Sequence, residues 1–294
     1  MHKSASTAEL NAYGSAMLRL CLKLALLVLP LMAQASLPQA LSVPGGIAVI
    51  PLGSVASSAA APQAWLGEQP VLVTADKDEW YAVVGLSLNT PPGSHALQIK
   101  IAGESKTYLF EVNPKSYPEQ RITIKDKGKV QLSPADAARA KREIAAIMEL
   151  KRHWRSAQDT DPALLLPAEG RLGGRFGSRR FFNGEPRAPH AGLDVAVPSG
   201  TPVRASSHGV VLAVDDYFFN GKTVFLDHGN GLITMYCHLE RVDVKAGDKV
   251  GKGQPLGLSG RTGRATGPHL HWSVVLNGEM IDPELLIAEG AGSD

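Results

Sequence analysis

Alternation with a period of two is the feature that most limits what this chain can fold into. Leu97, Ile99 and Ile101 fall on one side of an extended run and Gln98 and Lys100 on the other. Tyr108, Phe110 and Val112 repeat the pattern after the turn signal Gly103-Glu104-Ser105, and Pro91-Pro92-Gly93 marks another reversal. Much later, Leu232, Thr234, Tyr236 and His238 alternate with Ile233, Met235 and Cys237. Side chains two apart share a face only in extended backbone, so the chain is predominantly all-β.

One segment breaks the pattern. Ser133-Pro134-Ala135-Asp136 reads as a helix start, with a capping Ser, Pro at the first helical position and an acid facing free N–H groups. Ile144, Ile147, Met148 and Trp154 then recur at helical spacing and predict one packed stripe, with His153 on a solvated face. Asp159 to Pro167 reads as a linker, and Gly-rich, strand-like sequence resumes near Gly170. The expected organisation is a β-sandwich-like domain over 36–131, with barrel-like closure also compatible. A helix and linker over 132–167 and an antiparallel β domain over 168–289 follow. His95, at a turn, is expected to be solvated.

The start of the chain has its own signature. Arg19 and Lys23 precede the apolar run Leu24 to Met32, and Ala33-Gln34-Ala35 follows. The run is far short of the roughly 20 residues that a membrane span needs. Basic residues, a short apolar core and a small-x-small site predict a secretory signal peptide over 1–35, cut after Ala35. Removing Lys3, Arg19, Lys23 and Glu9 from the totals of 30 basic and 28 acidic residues leaves 27 of each. A chain so balanced has no electrostatic basis for gripping a phosphate backbone, so nucleic acid is excluded as a partner. Cys237 is the one cysteine left after cleavage. The exported chain therefore has no internal disulfide and depends on packing or a metal, which fits a bacterial periplasm or cell envelope.

Six of the nine histidines follow Pro189. His190 to Asp194 gives H-x-x-x-D, and His269-Leu270-His271 gives H-x-H within a strand-like run from Pro268 to Leu276. In a strand, His269 and His271 point the same way while Leu270 packs behind. His238 ends the alternating run that starts at Leu232, so three imidazole-bearing segments are able to share a face. Imidazole with carboxylate is a donor set suited to zinc, whose catalytic sites take three protein ligands and keep one position open. By contrast, His228 in Asp227-His228-Gly229-Asn230 reads as a structural hydrogen-bonding residue and His208 as a turn residue. Tyr236, on the inferred face of His238, is placed either at the groove or in packing. Cys237 is read as pointing away from that face and as a poor nucleophile. The glycines from Gly257 to Gly263 lack the phosphate-loop pattern and read as a loop leading to the H-x-H strand.

Four segments carry a resemblance. Gly174-Arg175-Phe176-Gly177, His190-Ala191-Gly192-Leu193-Asp194, Gly231 to Leu239 and Gly260 to His271 stand in the order and approximate spacing of the M23 zinc metallopeptidases, the lysostaphin-type or LytM-domain cell-wall endopeptidases. The stretch from about Gly173 to Pro283 resembles that family, and the region before it more loosely resembles the N-terminal domain of one branch. The resemblance implies a compact antiparallel β domain with a groove over one Zn2+ per chain, held by His190, Asp194 and His271. His238 and His269 correspond to the family's two catalytic histidines. It further implies an exported endopeptidase that cuts peptide cross-links of bacterial peptidoglycan, with zinc-bound water attacking the scissile amide. Without a Glu beside the metal motif, a histidine takes the proton. His269 is assigned that role, and His238 stabilises the oxyanion or positions the water, although sequence leaves the two roles interchangeable. After signal cleavage no membrane association is expected. The alternative is a non-hydrolytic wall-binding or amidase-activating module, whose expected mark, a missing ligand, is absent from this sequence.

Overall fold

The computed structural model describes residues 37–57, 60–123 and 132–288, so the leader expected over 1–35 lies outside the described residues. Six strands come first: β1 (Ile47–Ser54), β2 (Gln63–Leu66), β3 (Gln69–Asp76), β4 (Glu79–Gly85), β5 (Gly93–Ile101) and β6 (Glu104–Val112). They form one antiparallel, barrel-like sheet in the order β1-β4-β3-β2-β5-β6. The open choice between sandwich and barrel thus resolves toward the barrel. The β5–β6 reversal is Ala102-Gly103, one residue earlier than the turn signal read from sequence. Both residues have positive φ, 49° and 90°, the pairing whose twist matches a two-residue hairpin.

Both faces of this sheet's first edge are buried. Ala48, Ile50, Ala82 and Val84 line the barrel's own core with Leu97 and Ile99. Their alternating neighbours Ile47 and Val83, with Leu72, enter a second core built mainly by the C-terminal strands. Asn277 reinforces the junction: its Oδ1 accepts from Gly85 N at 2.6 Å and its Nδ2 donates to Gly85 O at 3.0 Å. A Cβ on Gly85 would lie 2.7 Å from Leu276 O, so only glycine permits this approach.

The strand β7 (Glu119–Ile122) and the helix α1 (Pro134–Lys151) follow. Ser133 caps α1 as the sequence predicts, accepting from Asp136 N at 3.1 Å. The predicted stripe does not form as one unit. Ile147 packs, together with Leu150, against a cluster containing Tyr217 and Phe225. Ile144 and Met148 stay 50% and 44% exposed. Trp154 lies beyond the helix end, against the Gly231 backbone. The face of α1 turned to the sheet is narrow, and tertiary packing overrides the periodic signal. His153 is half-buried, 3.5 Å from Asp227, rather than fully solvated.

The expected linker is packed structure. Leu164 is fully buried, donates its N–H to Leu286 O and accepts from Ala288 N, while Leu165 N reaches Ser206 O. The apolar run Leu164-Leu165-Leu166 outweighs the Asp and Pro signals around it. His95, also expected in solvent, is partly buried within β5 and bonds Pro91 O at 2.8 Å.

The C-terminal part holds β8 (Arg171–Leu172), β9 (Arg179–Phe182), β10 (Glu185–Arg187), β11 (Leu193–Ala196), β12 (Pro202–Arg204) and β13 (Gly209–Tyr217). It continues with β14 (Gly221–Gly229), β15 (Leu232–Val242), β16 (Lys249–Val250), β17 (Pro255–Ser259), β18 (Leu270–Leu276) and β19 (Glu279–Ile281). The spine of the main sheet runs β16-β13-β14-β15-β18-β11-β8, and β7 joins β9 and β10 in a separate three-stranded sheet. No described helix is long and apolar enough to cross a membrane. Asn277→Ala should leave the Gly85 N–H and C=O buried without partners. A loss of about 1–3 kcal/mol is expected, visible as a lower midpoint in denaturant unfolding. An unchanged midpoint would mean that the junction contributes nothing.

Candidate metal centre

The site is assembled by strand register. In β11 and β18, Asp194 sits directly opposite His271, and cross-strand neighbours on one face lie close enough for their side chains to meet. His271 Nδ1 lies 2.8 Å from Asp194 Oδ1. His190, in the loop before β11, places Nε2 3.0 Å from Asp194 Oδ1 and 3.0 Å from His271 Nδ1. These three residues are the metal-capable cluster found among the described residues.

Glycine makes the crowding possible. A Cβ on Gly174 would fall 2.4 Å from Asp194 Oδ2 and 3.1 Å from His190, and one on Gly192 would fall 2.8 Å from His271. The Gly174-Arg175-Phe176-Gly177 segment also fixes the loop through its backbone: Gly174 O accepts from Asp194 N at 2.9 Å, and Gly177 N donates to His190 O at 2.8 Å.

Both outer ring nitrogens are engaged by the protein. His190 Nδ1 donates to Arg175 O at 3.1 Å, and His271 Nε2 faces Ser273 Oγ at 3.0 Å. The Arg175 carbonyl fixes the His190 proton on Nδ1, so the inward Nε2 of His190 presents a lone pair, whereas the Ser273 hydroxyl donates or accepts and is compatible with either tautomer of His271. Two inward ring nitrogens and a carboxylate oxygen therefore meet within 3.0 Å of one another. The spacing is close to the edge, about 3.3 Å, of a tetrahedron with 2.0–2.1 Å bonds to zinc. The donors are all oxygen or imidazole nitrogen, the chemistry that a zinc ion takes. Burial alone would raise the Asp194 carboxyl, but in the metal-free chain the adjoining imidazoles of His190 and His271, whenever they carry inward protons, outweigh it by hydrogen bonding and then by charge and hold it well below the usual carboxylate range. Burial pushes His271 toward the neutral form.

His238 reaches the same side by a backbone device. Strict alternation would send it, like Tyr236, into the core. Between β14 and β15, however, Val224 pairs with Tyr236 and Lys222 with Leu239, so two residues of β15 oppose one of β14. His238 has φ of 63°. This bulge turns the His238 ring toward the site, 4.7 Å from the His269 ring and 6.0 Å from that of His271. Its Nδ1 donates to Thr262 O at 2.9 Å, and His269 Nδ1 donates to Gly267 O at 2.9 Å. Both histidines thus keep Nε2 open, that of His269 lying 3.8 Å from Asp194 Oδ1. The glycine loop earns its composition here. Gly263 packs so closely on Gly221 that a Cβ would fall 2.3 Å from Gly221 N, which brings Thr262 within reach of His238.

One open reading is decided and one expectation is corrected. Tyr236 is completely buried, its hydroxyl accepting from Ser206 N and from Thr234 Oγ1, so it packs and does not line the groove. Cys237 pairs in register with His271 and so shares its side of the sheet, rather than pointing away from it. It remains a poor nucleophile, because burial raises its thiol to about 12. His228 has the structural role expected, with Nδ1 donating to His208 O at 2.7 Å and Nε2 2.8 Å from Thr234 Oγ1.

The five residues open onto a cleft of about 290 Å³, also lined by Gln120, Arg180, Phe182, Arg264 and Thr266. Sequence reading missed these. Arg180 and Phe182 are two apart on β9, and Gln120 is the register partner of Arg180 on β7. Only that parallel pairing puts the three on one side.

Comparison with known proteins follows the same outline. The peptidase family M23 profile matches residues 188–283, and that of the M23 N-terminal domain matches residues 27–115. A crystal structure described as a putative peptidase M23 from Pseudomonas aeruginosa is 39% identical, with a TM-score of 0.70, over 85% of this chain and 96% of that one. The peptidoglycan DD-endopeptidase ShyA of Vibrio cholerae is 40% identical over 129 residues, 44% of this chain and 26% of the relative. ShyC of the same organism is 44% identical over 115 residues, 38% of this chain and again 26% of the relative. The match thus spans about a quarter of the length of these curated relatives.

Two outcomes are expected from the geometry. Gly174→Ala should displace Asp194 and His190 and cut zinc affinity at least tenfold in titrations, while far-UV circular dichroism stays native. Retained affinity would show that the close approach is not required. Burial pushes His228 and His238 down to about 4, so the folded chain stays neutral where an unfolded one binds protons near pH 6.5. Stability of the metal-free protein should therefore be full above pH 6.5 and decline toward pH 4. Denaturant unfolding at pH 7 and pH 5 tests the sign.

Proposed function

Because the chain belongs to peptidase family M23, we propose that it is an exported zinc metalloendopeptidase that hydrolyses peptide cross-links of bacterial peptidoglycan. The observation that carries this reading is the convergence of His190 Nε2, Asp194 Oδ1 and His271 Nδ1 within 3.0 Å, with both outer ring nitrogens engaged elsewhere. These three residues would hold one zinc ion. Zinc, when bound, supplies Lewis acidity that polarises a carbonyl and lowers the pKa of water from 15.7 toward roughly 7.

The chain's own groups do the rest. His269, through its open Nε2 beside Asp194, takes a proton from the attacking water as the oxygen adds to the scissile carbonyl carbon. The same nitrogen returns the proton to the leaving amine as the C–N bond breaks. His238 is pinned by Thr262 in the tautomer that accepts at Nε2, which favours orienting the water over donating to an oxyanion. Its burial keeps it neutral well below pH 7. The presence of all five groups in one cleft supports hydrolysis over a purely binding role. Export rests on the leader pattern before Ala35, and the envelope location on the substrate.

Incubating the mature protein and zinc with purified sacculi should release new muropeptides, and silence on walls of several chemistries would sink the proposal. His271→Ala should lose zinc and activity together. His269→Ala should keep about one zinc per chain while turnover drops roughly 10²–10⁴-fold. Zinc lost from the second variant and kept by the first would reverse the two assignments.

A further inference from the structure

Arg180 is held in the cleft without a close protein partner. It sits on β9 with its side chain 29% exposed, and its nearest acid is Asp194 Oδ2 at 3.9 Å, too far for a hydrogen bond. Its Nε is buried with no partner. The other guanidinium in the cleft, that of Arg264, stacks on Phe218 at 5.6 Å. Arg187, beside Arg180 on β10, is paired with Glu185 at 2.8 Å. Asp194 is the one carboxylate among the residues lining the cleft, and it is already drawn to His190 and His271. Keeping a cation partly out of water without such a partner is costly, and a bound anion offsets that cost. A guanidinium also matches the two oxygens of a carboxylate, which an ammonium does not.

We infer that Arg180 is a specificity-determining residue that binds a substrate carboxylate on the carbon bearing the scissile nitrogen. This rests on reading the cleft as an endopeptidase site for wall peptides. The carbon attached to that nitrogen lies within two bonds of the reacting carbonyl, so its substituents lie near Asp194 and thus near Arg180. A cross-link whose amine comes from the α-centre of a diamino diacid carries a carboxylate there. One whose amine comes from a side-chain methylene does not. The preferred substrate is the first kind.

The test uses the zinc-loaded mature protein and three synthetic cross-linked peptides, bearing a carboxylate, a carboxamide or hydrogen at that carbon. The wild type should favour the carboxylate at least tenfold in kcat/KM. Arg180→Gln should bring the ratio close to one, mainly through KM for the carboxylate substrate, with zinc still near one per chain. Arg180→Lys should recover part of the preference. A wild type that cleaves all three peptides equally overturns the inference even if no variant folds. So does an Arg180→Gln protein that loses zinc, or that slows on all three in proportion, because Arg180 would then act by orienting Asp194. A wild type inactive on every peptide and on sacculi would instead count against the endopeptidase reading itself.

Discussion

Two imidazole nitrogens and a carboxylate oxygen are held about 3 Å apart, close enough to share one cation, and the rest of the C-terminal domain is arranged around that convergence. The Asp194–His271 register fixes two of the donors on adjacent strands, and His190 is added from a loop that glycines allow to come close. The outward nitrogen of His190 donates to Arg175 O and that of His271 bonds Ser273 Oγ, so both rings are anchored on the side away from the cluster. The proposed metal site rests on that preorganisation.

A second arrangement works by the opposite logic. His238 and His269 are tied at Nδ1 to backbone carbonyls and left open at Nε2. Their carbonyl partners, Thr262 and Gly267, belong to the same loop between β17 and β18. One loop therefore sets the tautomer of both residues, which ties their positions to each other more tightly than separate strands would.

The N-terminal sheet belongs to the same body. Ile47, Leu72 and Val83 share a core with Leu193, Trp272 and Leu276, and β7 carries Gln120 to the edge of the cleft. Removing the first domain would expose apolar surface on the second and would take away part of the cleft wall.

By itself the sequence determined the β character and the capped start of α1, while the five converging residues were legible through the resemblance of four segments to a known family. Local rules govern the first two: the period of two and the capping chemistry of Ser133. Only the tertiary structure decided where those rules give way. Alternation would have buried His238 with Tyr236, and a bulge against β14 reverses it. Polar and proline signals hid the buried Leu164. The stripe on α1 met too narrow a surface to bury Ile144 and Met148. Arg180 was invisible because its place in the cleft depends on β9 pairing with β7, about sixty residues earlier. Non-local pairing is set by which faces find partners when the whole chain packs, and no local window contains that information.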